Sequence, residues 1–246
     1  MQTIDLNCDM GEGAGHDADI MPYISSANIA CGFHTGGEDT MKKTVELALQ
    51  YGIAVGVHPG FADKENFGRT EKYLPLAEVY DLVSQQIYSL QKIAHGMGAT
   101  MHHVKPHGAL YNMAAKDSAL ADVIAKAVKD ADGNLVLYGL YNSFLISAAG
   151  SAGLRCAAEV FADRRYDRDG NLVARKLEGA LIENEADAIK QVLRMVLNNE
   201  VNTVEGLVIK VHPQTICLHG DGVHAPAFAK KIHAALLENG IVIKRR

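Results

Sequence analysis

No stretch of the 246-residue sequence approaches the roughly 18 consecutive apolar residues of a membrane-spanning helix, so a bilayer is not its expected solvent. The opening residues, Met1-Gln2-Thr3-Ile4-Asp5, show no basic segment leading into an apolar one, so no secretory signal is read there. Cysteine is scarce. Cys8, Cys31, Cys156 and Cys217 lie far apart with no C-x-x-C pair, which excludes a disulfide scaffold. Four buried thiols in a reducing, cytoplasmic setting are expected instead. Nor do basic residues dominate: 24 Lys and Arg against 29 Asp and Glu leave a net charge of -5, without the footprint of a nucleic-acid binder. No G-x-x-x-x-G-K-[ST] run occurs, and Gly11-Glu12-Gly13-Ala14-Gly15 is only a weak phosphate-cradle signal because no clear helix follows it. No repeat, low-complexity tract or Pro/Ser-rich linker divides the chain, so one domain over 1–246 is expected. Against these shortages stands one excess, 11 histidines.

What is present is an alternation of short apolar runs and amphipathic stretches. The strand-like runs are Thr3–Cys8, Ala27–Cys31, Ala54–Val57, Met101–Val104, Leu135–Tyr138, Arg155–Val160, Leu207–Val211 and Thr215–Leu218. Between them apolar residues recur at three and four positions, as in Val79, Val83, Ile87, Leu90 and Ala94, with Pro75 at a first turn. Further helices are expected around Met41–Leu49, closed by Tyr51-Gly52, and around Ala186–Val196, capped by Asn184. Others are expected over Phe228–Leu236, closed by Asn239-Gly240, and over Asp117–Ala131 and Asn142–Ala152. Strand followed by helix, repeated, predicts a parallel sheet. Asp163–Leu177 breaks the rhythm. It is charged, contains Asp169-Gly170-Asn171, and predicts a hairpin or lid-like loop.

The strand ends carry polar residues at period two, the alternation that puts them on one face. Asp5, Asn7 and Asp9 form one such stripe, and His103, Lys105 and His107 another. Asn28 leads through Ala30 to Gly32 and His34; Glu159 and Asp163 flank Phe161; Cys217 precedes His219 and Asp221. His58 ends a sixth strand. In an open sheet covered by helices on both faces these groups would be buried against apolar side chains at high cost. In a closed barrel they point inward and meet at the C-terminal mouth, where barrel active sites lie. A barrel is therefore the expected architecture.

These stripes sit inside longer strings. They are Asp5-Leu6-Asn7-Cys8-Asp9-Met10-Gly11-Glu12, Ser26-Ala27-Asn28-Ile29-Ala30-Cys31-Gly32-Phe33-His34 and Val57-His58-Pro59-Gly60. Asn66-Phe67-Gly68-Arg69 and Val104-Lys105-Pro106-His107-Gly108-Ala109-Leu110-Tyr111-Asn112 follow. Then come Glu159-Val160-Phe161-Ala162-Asp163-Arg164, Gly179-Ala180-Leu181-Ile182 and Thr215-Ile216-Cys217-Leu218-His219-Gly220-Asp221-Gly222. In this order, and over nearly the whole chain, they resemble the LamB/YcsF family. The resemblance implies a single-domain, seven-stranded, irregular β/α barrel, TIM-like and similar to the glycoside hydrolase/deacetylase barrels. It also implies ATP-dependent opening of 5-oxoproline (pyroglutamate) to L-glutamate, as the A component of a 5-oxoprolinase acting with subunits B and C. One position departs from the family: Gly37 stands where an acidic residue is usual, with Glu38 and Asp39 as nearby substitutes.

Opening a stable five-membered lactam requires an activated carbonyl, a base for water, an acid for the ring nitrogen and a cation for carboxylate or phosphate. Lys105 suits the cation, while Asp9, Glu12, His107, Glu159, Asp163 and His219 suit acid–base work. Asp5, Asn7, Asn28, His34, His58 and His103 are expected to bind or orient. Arg69 and Arg164 suit bidentate reading of phosphate or carboxylate. Asp221 suits a carboxylate that fixes the tautomer of His219. ATP is the expected cofactor, bound here or shared with the partner subunits. A divalent metal is left open. Related barrels hold one on an Asp and two His, and Asp9, His34, His58, His107 and His219 contain such a set. Cys31-x-x-His34 and Cys217-x-His219 are each half of a zinc site. Two other readings stand beside the amide hydrolase: a metal-dependent deacetylase-like hydrolase and a non-catalytic small-molecule-binding subunit. The density of acid, base and cation at the strand ends weighs against the second.

Overall fold

Strand β1 (Thr3–Met10) sets the pattern for the whole molecule. Its even-numbered side chains, Ile4, Leu6, Cys8 and Met10, are buried apolar groups, while Asp5, Asn7 and Asp9 occupy the opposite face and are buried as well. A strand buried on both faces with one polar face needs a closed interior to receive it. The computed structural model, which describes residues 2–220, 222 and 225–246, supplies that interior. Strands β2 (Ser26–Ala30), β3 (Ala54–His58), β4 (Met101–Val104), β5 (Val136–Leu140) and β6 (Arg155–Phe161) add in sequence order, all parallel. After an excursion the chain returns as β9 (Thr215–Leu218), which pairs with β6 on one side and β1 on the other and closes a seven-stranded barrel.

The seventh strand-like run, Leu207–Val211, is the departure from expectation. Val208–Lys210, here β8, pairs antiparallel with β7 (Glu200–Asn202) in a two-stranded hairpin outside the barrel. Its burial is exposed, intermediate, exposed, so it has no inward face to offer. A last short strand, β10 (Val242–Ile243), lies against the start of β1.

The helices follow the expected periodicity. α3 (Leu76–Gly96) turns Val79, Val83, Ile87, Leu90 and Ala94 to the core, each large one contributing roughly 1.5–3 kcal/mol of burial. Pro75 stands just outside that helix, at its N-cap, rather than within the first turn. α2 (Glu38–Tyr51) ends on Gly52 at φ +68, a left-handed conformation that glycine adopts without strain. Asn184 caps α7 (Glu185–Asn198), its side-chain oxygen accepting from the backbone N–H groups of Ala186 and Asp187. The remaining helices are the short α1 (Asp17–Ile20), then α4 (Gly108–Lys116), α5 (Ser118–Ala131), α6 (Phe144–Ser151) and α8 (Ala225–Glu238). None of the described helices is long and apolar enough to cross a membrane. All four cysteines are free thiols, and only Cys156 is not fully buried. The charged segment after β6 does form a hairpin: Arg164 bridges Leu181, Tyr166 bridges Leu172, and Asp167 accepts backbone N–H bonds from Asp169 and Asn171 at its tip.

Register carries the polar face around the ring. Asp9 lies opposite Asn28, Asn28 opposite Gly56, Gly56 opposite His103, and Asn7 opposite Cys217. Gly56 is where this arrangement is tightest. A Cβ built there would sit 2.1 Å from His103 Nε2. Gly56→Ala is therefore expected to destabilise the barrel by about 1–3 kcal/mol or more through overpacking, read as a lowered midpoint in thermal or urea unfolding. An unchanged midpoint would mean that the His103 ring moves aside freely.

Candidate active site at the barrel mouth

The deepest inward layer is a cage around one carboxylate. Asp5 accepts hydrogen bonds from the hydroxyls of Ser25, Ser26, Tyr138 and Thr215 at 2.6–2.9 Å. Four hydroxyl donors satisfy this fully buried side chain, so Asp5 closes the barrel floor and does not face the mouth. The next layer is amide and imidazole. Asn7 donates to Glu159 Oε1 and Thr215 Oγ1, and its own oxygen accepts from Asn28. Asn28 also donates to Asp9 Oδ1 at 2.8 Å, and its oxygen accepts from His103 Nε2 at 2.7 Å. Burial drives the pKa of His103 well below its ordinary value, so it is a neutral, stacked ring against Tyr138 and not a base for the site.

Lys105 sits above this layer, 2 % exposed, among more acceptors than it has protons. Its Nζ lies 2.8 Å from Asp9 Oδ1, 3.1 Å from Glu159 Oε1, 3.3 Å from Asn7 Oδ1 and 2.9 Å from Cys217 Sγ. Burial alone would lower its pKa, but Asp9 and Glu159 hold it well above the ordinary lysine value. Burial likewise opposes ionisation of Asp9, and the Lys105 ammonium 2.8 Å away counters it, leaving the carboxyl well below the usual range. Lys105 thus has no donor to spare for a substrate anion. Its geometry gives it a different task from the one expected, that of fixing Asp9 and Glu159 as oriented carboxylates. Tyr111, on α4, donates to the second oxygen of Glu159 at 2.7 Å. Tyr111 belongs to the Val104–Asn112 string, but sequence reasoning gives it no role. The signal that could have found it is its position four residues after His107, on the inward side of the first helical turn.

Glu12, His34, His58 and His107 gather at one wall of the mouth, drawn from four successive strand ends. At the opposite side His219 Nδ1 lies 2.8 Å from both oxygens of Asp163, and the backbone N–H of His219 donates to the same carboxylate. Burial would raise the pKa of Asp163, but His219 holds it below the usual range. The carboxylate that fixes His219 is therefore Asp163, which separates it from Glu159 in the Lys105 cluster. The pairing with Asp221 expected from sequence lies outside the described residues. In the neutral ring, Nδ1 carries the hydrogen that the Asp163 carboxylate accepts, and the lone pair is on Nε2.

The cavity above these groups has a volume of about 760 Å³ and is lined by Asp9, His58, Lys105, His107 and His219. Arg69, Arg164, Arg175 and Lys176 add cationic groups to its walls. Arg164 donates to the carbonyl of Val173 at 2.6 Å, which ties it to the hairpin, and its Nε is buried without a partner. Arg69 lies over the Phe67 ring at 4.7 Å. Arg175 and Lys176 were not anticipated, since nothing in the sequence says which way the hairpin folds. The two acids that follow Gly37 turn away from the site. Glu38 pairs with Lys42 at 2.6 Å in solvent and Asp39 is exposed, so neither replaces an acid in the site. Cys31 also stays out: its thiol donates to the carbonyl of Ile29.

The LamB/YcsF family profile matches residues 4–246. The chain belongs to this family. A family relative from Tolumonas auensis, named as the A subunit of 5-oxoprolinase, is 52 % identical over 249 residues, covering 99 % of each chain. The crystal structure of a lactam utilization protein from Thermus thermophilus superposes with a TM-score of 0.92 at 42 % identity, covering 99 % of both chains. The barrel itself is wider than the LamB/YcsF family. A family 4 carbohydrate esterase from Streptomyces lividans shares it at a TM-score of 0.52 and 12 % identity, covering 98 % of this chain and 91 % of that one, a likeness of fold alone. Most strings that carry the LamB/YcsF resemblance contribute residues to the mouth or its floor, while Gly179-Ala180-Leu181-Ile182 lies in the hairpin, where Leu181 bridges Arg164.

Proposed function

We propose that the chain is the A component of an ATP-dependent 5-oxoprolinase, opening 5-oxoproline to L-glutamate in a cytoplasmic complex with subunits B and C. The observation that carries this reading is the 52 % identity, end to end, with a protein named as the A subunit of 5-oxoprolinase. The mouth chemistry supports it. In the proposed sequence the γ-phosphoryl group of ATP passes to the ring carbonyl oxygen and ADP leaves. Water then adds to the activated ring carbon, the C–N bond breaks with a proton delivered to nitrogen, and a second water releases phosphate. His219 takes the proton from the first water through Nε2 and returns it to the ring nitrogen, a single group serving as base and then acid. Asp9 accepts the other hydrogen of that water, because an acceptor atom of Asp9 and a ring nitrogen of His219 lie within 4.8 Å of each other. Arg164, Arg175 and Lys176 face the phosphoryl group as it transfers, where cations counter developing charge.

The test is glutamate release from 5-oxoproline. The chain with its two partner subunits is expected to release glutamate only when ATP is present, and the chain alone to release none. A reconstituted complex that consumes neither substrate would sink the reading.

A further inference from the structure

Four donor atoms converge at one wall of the mouth. They are Glu12 Oε1, a ring nitrogen of His34, His58 Nε2 and His107 Nδ1, all within 4.8 Å of one another. The tautomers of two rings follow from their outer partners. His58 Nδ1 lies 2.7 Å from the carbonyl of Lys105, and His107 Nε2 lies 2.8 Å from the carbonyl of Phe67. A carbonyl only accepts, so both N–H groups point outward and both inner nitrogens carry lone pairs. Those nitrogens nevertheless face each other at 2.9 Å. Glu12 Oε1 and both ring nitrogens of His34 are buried without any hydrogen-bond partner. Buried polar atoms are seldom left so, because each costs about 1–3 kcal/mol.

The surroundings are built to hold the rings in place. A Cβ at Gly60 would lie 2.8 Å from His34 Nδ1, and one at Gly68 would lie 2.8 Å from His34 Cβ and 2.9 Å from His107 Cδ2. Between them Phe67 adopts φ 56, an unusual left-handed conformation for an aromatic residue, and so turns its carbonyl onto His107. Carbonyls that orient imidazoles from behind are the usual outer support of metal ligands.

The geometry points to a divalent transition-metal site formed by Glu12, His34, His58 and His107. Glu12 Oε1 lies 3.3, 3.5 and 3.7 Å from the nearest nitrogens of His107, His34 and His58. With the 2.9 Å between His58 and His107, these separations bracket the ~3.4 Å edge of a tetrahedron whose ligands lie ~2.1 Å from a central zinc. Three imidazoles and one carboxylate suit zinc or a neighbouring first-row ion rather than magnesium or calcium. A second group, Asp9, Cys217 and His219, is equally close-knit. It already holds a cation, because the Lys105 ammonium lies 2.8 Å from Asp9 Oδ1 and 2.9 Å from Cys217 Sγ. When bound, the metal would polarise a carbonyl or acidify a water at the cavity wall lined by His58 and His107.

This inference is independent of the ring-opening reading, since uptake is measured without substrate, ATP or partners. The rival is a single proton held between His58 and His107. The full chain, stripped with a chelator, is titrated with zinc and separately with cobalt by calorimetry, then desalted and analysed for metal. One ion per chain is expected, with a visible ligand-field absorption for cobalt and a raised unfolding temperature. Glu12→Gln and His34→Gln are each expected to weaken zinc binding more than about 100-fold, beyond the 10–100-fold cost of losing an outer support. Cys217→Ser is expected to bind zinc as the unaltered chain does. Failure of the unaltered chain to take up either ion would overturn the site whether or not the variants fold. Zinc uptake that survives in Glu12→Gln and disappears in Cys217→Ser would move it to the other cluster.

Discussion

Lys105→Met is expected to cost the barrel about 3–5 kcal/mol and to reduce turnover of the assembled enzyme by at least about a thousandfold. The stability term follows from what remains. Asp9 is 5 % exposed and Glu159 is 0 % exposed, and the ammonium that they share lies 2.8 and 3.1 Å away. Methionine fills the stem volume and removes the charge, so two buried carboxylates are left with the neutral donors Asn7, Asn28 and Tyr111. Protonation of one of them is the cheapest relief, and it removes either the ionised Asp9 or the acceptor of Tyr111. For a chain of this length the loss should appear as a drop of roughly 10 °C or more in unfolding temperature. Lys105→Met with Glu159→Gln separates the two effects. Removing one carboxylate restores about 1–3 kcal/mol by relieving the unpaired charge. Turnover stays low, because Asp9 still lacks its positioning cation. A single variant with normal stability would show that the buried charges are neutralised some other way. Normal turnover would remove Lys105 from the mechanism.

Much of this cluster was legible in the sequence, and the reason is the strand period. Asp5, Asn7 and Asp9 alternate with Ile4, Leu6 and Cys8, and only a closed interior accommodates that pattern. The alternation assigns a face to each residue but not a height. Asp5 and Asp9 are equivalent in the pattern, yet one is caged by four hydroxyls at the floor and the other meets the cavity. Height depends on strand stagger, which comes from neighbours distant in sequence. The same limit explains Leu207–Val211. Its composition is that of a strand, but it lacks a polar inward set, and it pairs with β7 outside the barrel. Partnership across the mouth was less legible still. His219 and Asp163 are 56 positions apart and meet because β6 and β9 are adjacent. His58 and His107 meet because β3 and β4 are adjacent and the chain after each strand bends the same way. The histidine excess pointed to chemistry, while the choice between proton and metal required the backbone carbonyls behind the rings.

His219→Gln carries the second large expectation, a fall of about 10²–10⁴-fold in the turnover number of the assembled enzyme with zinc uptake unchanged. Glutamine keeps a polar group at the cavity wall but has no lone-pair nitrogen that can accept a proton from water. The ring it replaces is fixed from behind by Asp163 at 2.8 Å and packed along the Phe161 ring, so its removal leaves the barrel wall largely intact. Asp163→Asn should act through the same ring. Both carboxylate oxygens lie 2.8 Å from Nδ1, and one also accepts the backbone N–H of His219. An amide offers one acceptor where the site uses two, so its NH2 group competes for Nδ1 and favours the tautomer with the proton on Nε2, which disables the base. A loss of roughly 100-fold in the turnover number with little change in KM is expected, the split that separates positioning from substrate binding. The pair also divides the two halves of the mouth. Glu12→Gln should lose metal and His219→Gln should not, because the second histidine lies outside the four-donor cluster. If His219→Gln retains turnover within about threefold, the proton goes elsewhere, and Asp9, held ionised beside Lys105, is the base that remains.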